Sequence, residues 1–287
     1  MSFFKKTRTR SYNLFDNYSH YAPDTRGIII LLLLFLLGQL LGGLVGGLLA
    51  LFADVETMMK YNIVIAYPIG FIPAMIYASM KSRSNSFFDQ SLPLDNGKFG
   101  SMGGFYAAGV VSIVTIAAAL VMDPFTALLP EVSDVVRLAM ERLLKGPLWV
   151  DLLSVSIFAP FFEEWLCRGM IMRGLMTKMK PVYAIWISAL IFGLIHGNLW
   201  QAIPATFLGA LFGYVYYKTG SLKLTMLMHF VNNTMSLILT RIDKFEGKDF
   251  IYELFPGKLQ WGLFYVMCIC LLVLFFVTFS KKIDSKA

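Results

Sequence analysis

Three short fragments place ionisable or amide side chains inside stretches otherwise apolar enough to cross a bilayer. They are Glu163-Glu164-Trp165-Leu166-Cys167-Arg168, Phe192-Gly193-Leu194-Ile195-His196 and His229-Phe230-Val231-Asn232-Asn233. A charge at the bilayer centre costs roughly 2.5–3.5 kcal/mol on insertion scales, so such residues face a protein interior and mark function. Glu163, Glu164, His196, His229 and Asn233 are the kinds of group that activate a water and hold an oxyanion in hydrolysis.

Spacing divides the roles. Glu163 and Glu164 are adjacent and on a helix point about 100° apart, so they do not share one task. Glu164 and Arg168 are four apart, share a face and suit a buried ion pair. That leaves Glu163 to face a cavity as a general base; the plainer alternative is that the whole cluster ends the fourth apolar run at the membrane–water boundary. His196 follows Phe192 at i+4, with an aromatic ring under its imidazole, and serves as base, donor or ligand, or simply packs. His229 and Asn233, also four apart, form a two-donor pocket of the kind an oxyanion needs; the alternative is an interhelical hydrogen-bonding pair. The third histidine, His20, lies in the N-terminal tail.

The elements that must carry these groups are helices in lipid. The chain has 287 residues, is 57% hydrophobic and has a mean hydropathy of +0.66, more than a soluble domain needs. Apolar runs of about 20 residues, the length that spans a bilayer, recur at about 27–53, 61–80, 99–122, 147–169, 181–197, 199–217, 222–240 and 259–280. The expectation is an all-α polytopic membrane protein of about eight transmembrane helices: a tail over 1–26, a membrane domain over 27–280 with a catalytic core at about 147–240, and a tail over 281–287. Gly42, Gly43, Gly46 and Gly47, and likewise Gly209 and Gly213, form GxxxG pairs that let helices approach closely. A segment at 123–146 carries Val132, Val135, Val136, Ala139 and Leu143 on one helical face and reads as an interfacial amphipathic helix.

The net charge of +7 is distributed by loop. Lys5, Lys6, Arg8, Arg10 and Arg26 precede the first run, and Lys81, Arg83 and Lys98 follow the second. Arg173, Lys178 and Lys180 follow the fourth, and Lys281, Lys282 and Lys286 close the chain. The alternate loops are acidic or mixed. This is the positive-inside pattern with both termini cytoplasmic, and it sets nucleic acid aside as a partner. Cys167, Cys268 and Cys270 all lie in apolar runs without a CxxC spacing, so neither disulfides nor a cysteine metal site is expected.

The fragments Glu163-Glu164-x-x-x-Arg168, Phe192-x-x-x-His196 and His229-x-x-x-Asn233, in this order and each in its own span, resemble the three signature motifs of the CPBP family. These are the CAAX-prenyl-protease and bacteriocin-processing intramembrane proteases, also called Abi proteins. The resemblance covers about residues 147–240. It implies an eight-span helical fold with an intramembrane peptidase site, Glu163 and His196 activating water, His229 and Asn233 holding the oxyanion, and Glu164 and Arg168 in support. The family is often labelled metalloprotease, yet no HExxH is present. A zinc site would have to draw on His196, His229 and Glu163, whereas a metal-free mechanism uses each group once and is favoured.

Cys167, inside the first motif, is a less favoured nucleophile. A proton-coupled transporter using Glu163, His196 and His229 as a relay, and a non-catalytic scaffold or immunity protein, are the competing functions. The expected partners are the lipid bilayer and a protein or peptide substrate, lipidated or a precursor, in a bacterial plasma membrane. One geometric tension stands: antiparallel fourth and fifth spans bring Glu163 and His196 together only if the fourth helix continues well past Arg168 or the fifth begins in the cytoplasm.

Overall fold

The computed structural model describes residues 15–52, 55–87, 89–130, 134, 138, 146–242 and 251–284, and among these it contains helices and no strand. Eight longer helical elements are described: α1 (Thr25–Leu49), α2 (Val55–Asn85), α3 (Gly104–Thr126), α4 (148–176), α5 (Pro181–Leu194), α6 (Leu199–Thr219), α7 (Leu222–Leu239) and α8 (Lys258–Asp284). Local chemistry sets their ends. The Asp24 carboxylate accepts from Gly27 N–H at the start of α1, Asn198 caps α6 through Gln201 N–H, and Ser221 caps α7 through Leu224 N–H, each satisfying a donor that a first helical turn leaves open. Gly220, at φ 65°, ends α6 in the left-handed region and turns the chain directly into α7, a backbone state glycine adopts without steric cost.

Among the described residues, four helices are long and apolar enough to cross a membrane by length and composition: Thr25–Leu49, Lys60–Asn85, Gly104–Thr126 and Lys258–Asp284. Their outer faces carry exposed side chains such as Leu33, Leu40, Ile76 and Leu274, which acyl chains cover without cost. This is an integral membrane protein. The remaining helices, α4 to α7, sit between two pairs. On one side α1 packs on α2 and α2 on α4; on the other, α3 packs on α6, α7 and α8. Two apolar clusters correspond: one joins Leu31, Phe35, Phe71, Trp165 and Met170, the other Val111, Phe212, Val215, Met228 and Phe275.

Small residues set the approach of helices. A Cβ on Gly38 or Gly42 would meet the backbone of Gly70 or Ala66 in α2, and one on Gly46 would meet the Asn62 side chain. Of the glycine pairs read from the sequence, Gly42 and Gly46 thus face α2, while Gly43 and Gly47 have nothing within 4 Å. In α6, a Cβ on Gly209 would come within 3.0 Å of the Arg168 guanidinium and one on Gly213 within 3.2 Å of Ile185.

The chain before α1 is not a detached tail where it is described. Phe15, Tyr18 and Tyr21 are buried in the first apolar cluster, and Tyr18 sits edge-on to Trp165 with centroids 5.2 Å apart. Arg173, near the end of α4, fastens this junction. Its guanidinium donates to the carbonyls of Gly169 (2.8 Å), Tyr18 (3.2 Å), Tyr21 and Leu92. At the opposite end Arg241 donates to Gly146 O (2.7 Å) and to the buried Asp151 carboxylate. The amphipathic segment expected at 123–146 lies outside the described residues for most of its length; α3 runs to Thr126 and so includes Asp123.

Candidate active site

The site is built on α4, and α4 is not uniform. Helical hydrogen bonding changes register twice, giving wide π turns over Leu152–Phe158 and Trp165–Met172 around an ordinary helical stretch, Ala159–Glu164. The two glutamates close that middle stretch. π turns are rare and concentrate at functional sites. In the first one, Ala159 N–H bonds Ser154 O, five residues back. The next bond in this register would join position 160 to Val155 O, but residue 160 is proline and has no N–H. The Asn233 amide of α7 supplies the missing donor, with Nδ2 2.9 Å from Val155 O. In the second π turn, the Ser188 hydroxyl of α5 donates to Cys167 O at 2.8 Å.

The Ser188 bond ties α5 to the second π turn of α4. The two helices run antiparallel, so four residues beyond Ser188, Phe192 comes level with Glu163. The fourth helix does continue past Arg168, to Met176. Position 163 is therefore mid-helix. His196 follows the end of α5, one turn beyond Phe192, and the chain turns there at Gly197, φ 71°.

Glu164 and Arg168 form the expected i,i+4 pair. Arg168 Nη1 donates to Glu164 Oε1 at 2.8 Å, and both side chains are fully buried. Arg168 Nη2 donates to Gly209 O at 2.8 Å, an approach that a side chain at 209 would obstruct. The guanidinium carbon also lies 4.5 Å from the Phe192 ring centroid and 5.5 Å from that of Phe212. Aromatic faces, a carbonyl and a carboxylate together replace the hydration of a cation in an apolar interior.

His229 bridges the two acids. Its Nδ1 lies 3.1 Å from Glu164 Oε1, and its Nε2 lies 3.9 Å from Glu163 Oε2. A carboxylate only accepts, so Nδ1 carries a hydrogen toward Glu164. Glu164 thus orients the imidazole, and Nε2 is turned to Glu163. Glu163 Oε1 accepts from the Tyr67 hydroxyl of α2, while Oε2 is buried with no hydrogen-bond partner.

The structure joins Glu163, Glu164, Arg168 and His229 directly. His196 and Asn233 are joined less directly. His196 Nδ1 donates to Phe192 O at 2.8 Å, which leaves Nε2 for other partners. The Phe192 ring stands edge-on between the imidazoles, 5.2 Å from the centroid of His196 and 5.3 Å from that of His229. Neither an ion pair nor a hydrogen bond links His196 to Glu163 among the described residues. Asn233 lies one turn beyond His229, bonded to Val155 O and, through Oδ1, to Asn232 Nδ2 at 3.1 Å.

Among the described residues no group of three or more His, Cys, Asp and Glu is arranged to hold a metal ion. Of the set His196, His229 and Glu163, the glutamate accepts from Tyr67 through Oε1, and the Phe192 ring lies against both imidazoles. Cys167 is buried in the second π turn.

Two groups escaped the sequence reading. Tyr67 carried no visible signal, since a tyrosine in an apolar run reads as packing. Asp151 did carry one: it is an acid four residues after Pro147, inside the fourth apolar run, and its buried carboxylate pairs with the more exposed Arg241.

Two carboxylates, a guanidinium and an imidazole thus meet in a buried cluster among apolar helices. Part of the chain is similar to known proteins. Residues 145–235, which contain all three motifs, match the family model for type II CAAX prenyl endopeptidase Rce1-like proteins. Over that segment the chain is similar to this family of membrane endopeptidases. It is 31% identical over 84 residues to a Bacillus subtilis protein described as putative membrane peptidase YdiL, covering 29% of this chain and 34% of the relative. It is 30% identical over 114 residues to Staphylococcus aureus membrane-embedded CAAX protease MroQ, covering 35% of this chain and 46% of the relative. The chain thus spans less than half the length of these curated relatives. No solved structure matches it.

Proposed function

We propose that the protein is an intramembrane endopeptidase that hydrolyses a peptide bond of a membrane-associated protein or peptide. The observation that carries this is the Glu163 carboxylate, buried at mid-helix with Oε2 unbonded and turned toward His229 Nε2, within the segment that matches an endopeptidase family. Glu163 takes a proton from a water held with the help of His196 Nε2, and the hydroxide adds to the carbonyl carbon of the scissile bond. The oxyanion that forms is held by the Asn233 amide and by His229 as an imidazolium, which enters and leaves the cycle doubly protonated, Nδ1–H on Glu164 and Nε2–H on the oxyanion, a donor pair in an apolar surround. Glu163 then passes its proton to the leaving nitrogen as the C–N bond breaks. Glu164 holds His229 in orientation and Arg168 balances the charge of Glu164. No step calls on a metal.

Eight spans with both termini on the cytoplasmic face are the reading that the eight helical elements and the alternation of basic loops support. A bacterial plasma membrane fits the two relatives, and precursor peptides or lipidated proteins fit a site enclosed by lipid-facing helices. Glu163→Gln tests the reading. Losing a general base costs about 10²- to 10⁴-fold in rate, so the purified variant should fold, elute and melt as the wild type does while cleaving a farnesylated CAAX peptide or a membrane precursor at least about a hundredfold more slowly. A Glu163→Gln enzyme with undiminished cleavage would overturn the proposal.

A further inference from the structure

The carboxylate at 163 is held by a residue from outside the matched segment. Tyr67 lies on α2, beyond the 145–235 stretch that carries the three motifs. Its hydroxyl donates to Glu163 Oε1. The ring is wedged in an aromatic row, 5.6 Å from Phe71, which in turn stacks on Phe162 at 5.2 Å, the residue just before Glu163. The chain next to Tyr67 is also specialised: Pro68 follows it inside α2 and removes a backbone donor there.

This contact makes the two oxygens of Glu163 unequal. One is fixed by a phenol that cannot swing away without disrupting the aromatic row. The other accepts nothing from the protein and faces the imidazole of His229. A freely rotating carboxylate would present either oxygen in several orientations, and general-base catalysis loses rate when the acceptor is not within hydrogen-bond reach in one geometry. We infer that Tyr67 is a positioning residue for the reaction: it pins Glu163 through Oε1 so that Oε2 alone receives the proton of the attacking water. The inference rests on the reading of Glu163 as the base. A phenylalanine at 67 would keep the aromatic row and delete only the donor.

The test compares wild type, Tyr67→Phe, Glu163→Gln and the double variant, each full-length and in detergent. Cleavage of a farnesylated CAAX peptide gives kcat and KM. In parallel, incorporation of dicyclohexylcarbodiimide, a probe of membrane carboxyl groups, is located at Glu163 by mass spectrometry and needs no turnover. The expected result is a kcat lowered about 10- to 100-fold with KM unchanged, the signature of an interaction used in the transition state. Labelling at Glu163 should rise several-fold in Tyr67→Phe and vanish in Glu163→Gln, and Tyr67→Phe should lower activity no further in the Glu163→Gln background. Unchanged kcat and unchanged labelling, whatever the melting temperature does, would reduce Tyr67 to a packing residue and overturn the inference. If Glu163→Gln is inactive and Tyr67→Phe is not impaired, only this inference fails; if Glu163→Gln is active, the reading of the base itself fails. Should the peptide not be cut by the wild type, the labelling rates decide.

Discussion

The helices that look most like membrane spans and the helices that carry the chemistry are different helices. α1, α2, α3 and α8 pass on length and hydropathy, and only 17% to 33% of their most apolar windows is buried. Helices α4 to α7 do not: α5 is apolar but only 14 residues long, and α4 and α7 hold polar groups. Asp151, Glu163, Glu164, Arg168, Arg173 and His229 are all buried and all lie on α4 or α7, whereas the buried polar residues of α1 to α3 are the hydroxyls of Ser82 and Thr115. The contrast shows how the molecule divides its labour. The outer pairs present mostly apolar surface, apart from Tyr67 of α2, and enclose the charges that α4 and α7 bury.

The two regions should therefore respond very differently to substitution. The largest effect is expected at Arg168. Arg168→Met removes one partner of a fully buried ion pair, a change that costs about 3–5 kcal/mol because the remaining charge is left uncompensated. Thermal denaturation in detergent should show a large fall in melting temperature and a loss of folded yield.

A smaller effect is expected at Pro160. Pro160→Ala restores an N–H that competes with Asn233 for Val155 O, so the amide is released and kcat should fall by roughly tenfold, about 1.4 kcal/mol of barrier. The melting temperature should hold or rise, since a helix-interior proline is removed. The smallest is expected in the outer shell. Leu274 of α8 is 58% exposed, and Leu274→Ala should change stability by less than about 0.5 kcal/mol and leave cleavage unaltered. A large loss of activity there would erase the division between the regions.

Much of this arrangement could be read before any coordinates. Glu163, Glu164, Arg168, His196, His229 and Asn233 stand out because polar groups are conspicuous in apolar runs, and i,i+4 spacing alone predicts the Glu164–Arg168 pair. The membrane class follows from hydropathy. Other features are set by tertiary geometry that residue types do not encode. Tyr67 is written as an ordinary aromatic, and only the packing of α2 against α4 turns its hydroxyl toward Glu163. The π turns leave no compositional trace beyond Pro160, whose meaning depends on knowing the hydrogen-bond register around it. The level of α5 against α4 is a matter of tertiary packing, and so run lengths could not fix it. Asp151 was legible by the same rule as the motif acids and simply went unremarked.

The fastening at Arg173 has a consequence for biosynthesis. One guanidinium gathers carbonyls from residues 152 and 155 positions earlier in the chain and from another 81 positions earlier. Ribosomes add about 5–20 residues per second, so residues 18 to 21 emerge roughly 8 to 30 seconds before the side chain that anchors them. Until then the first helices must insert with their leading segment undocked, and its closure onto α4 is among the later events of assembly.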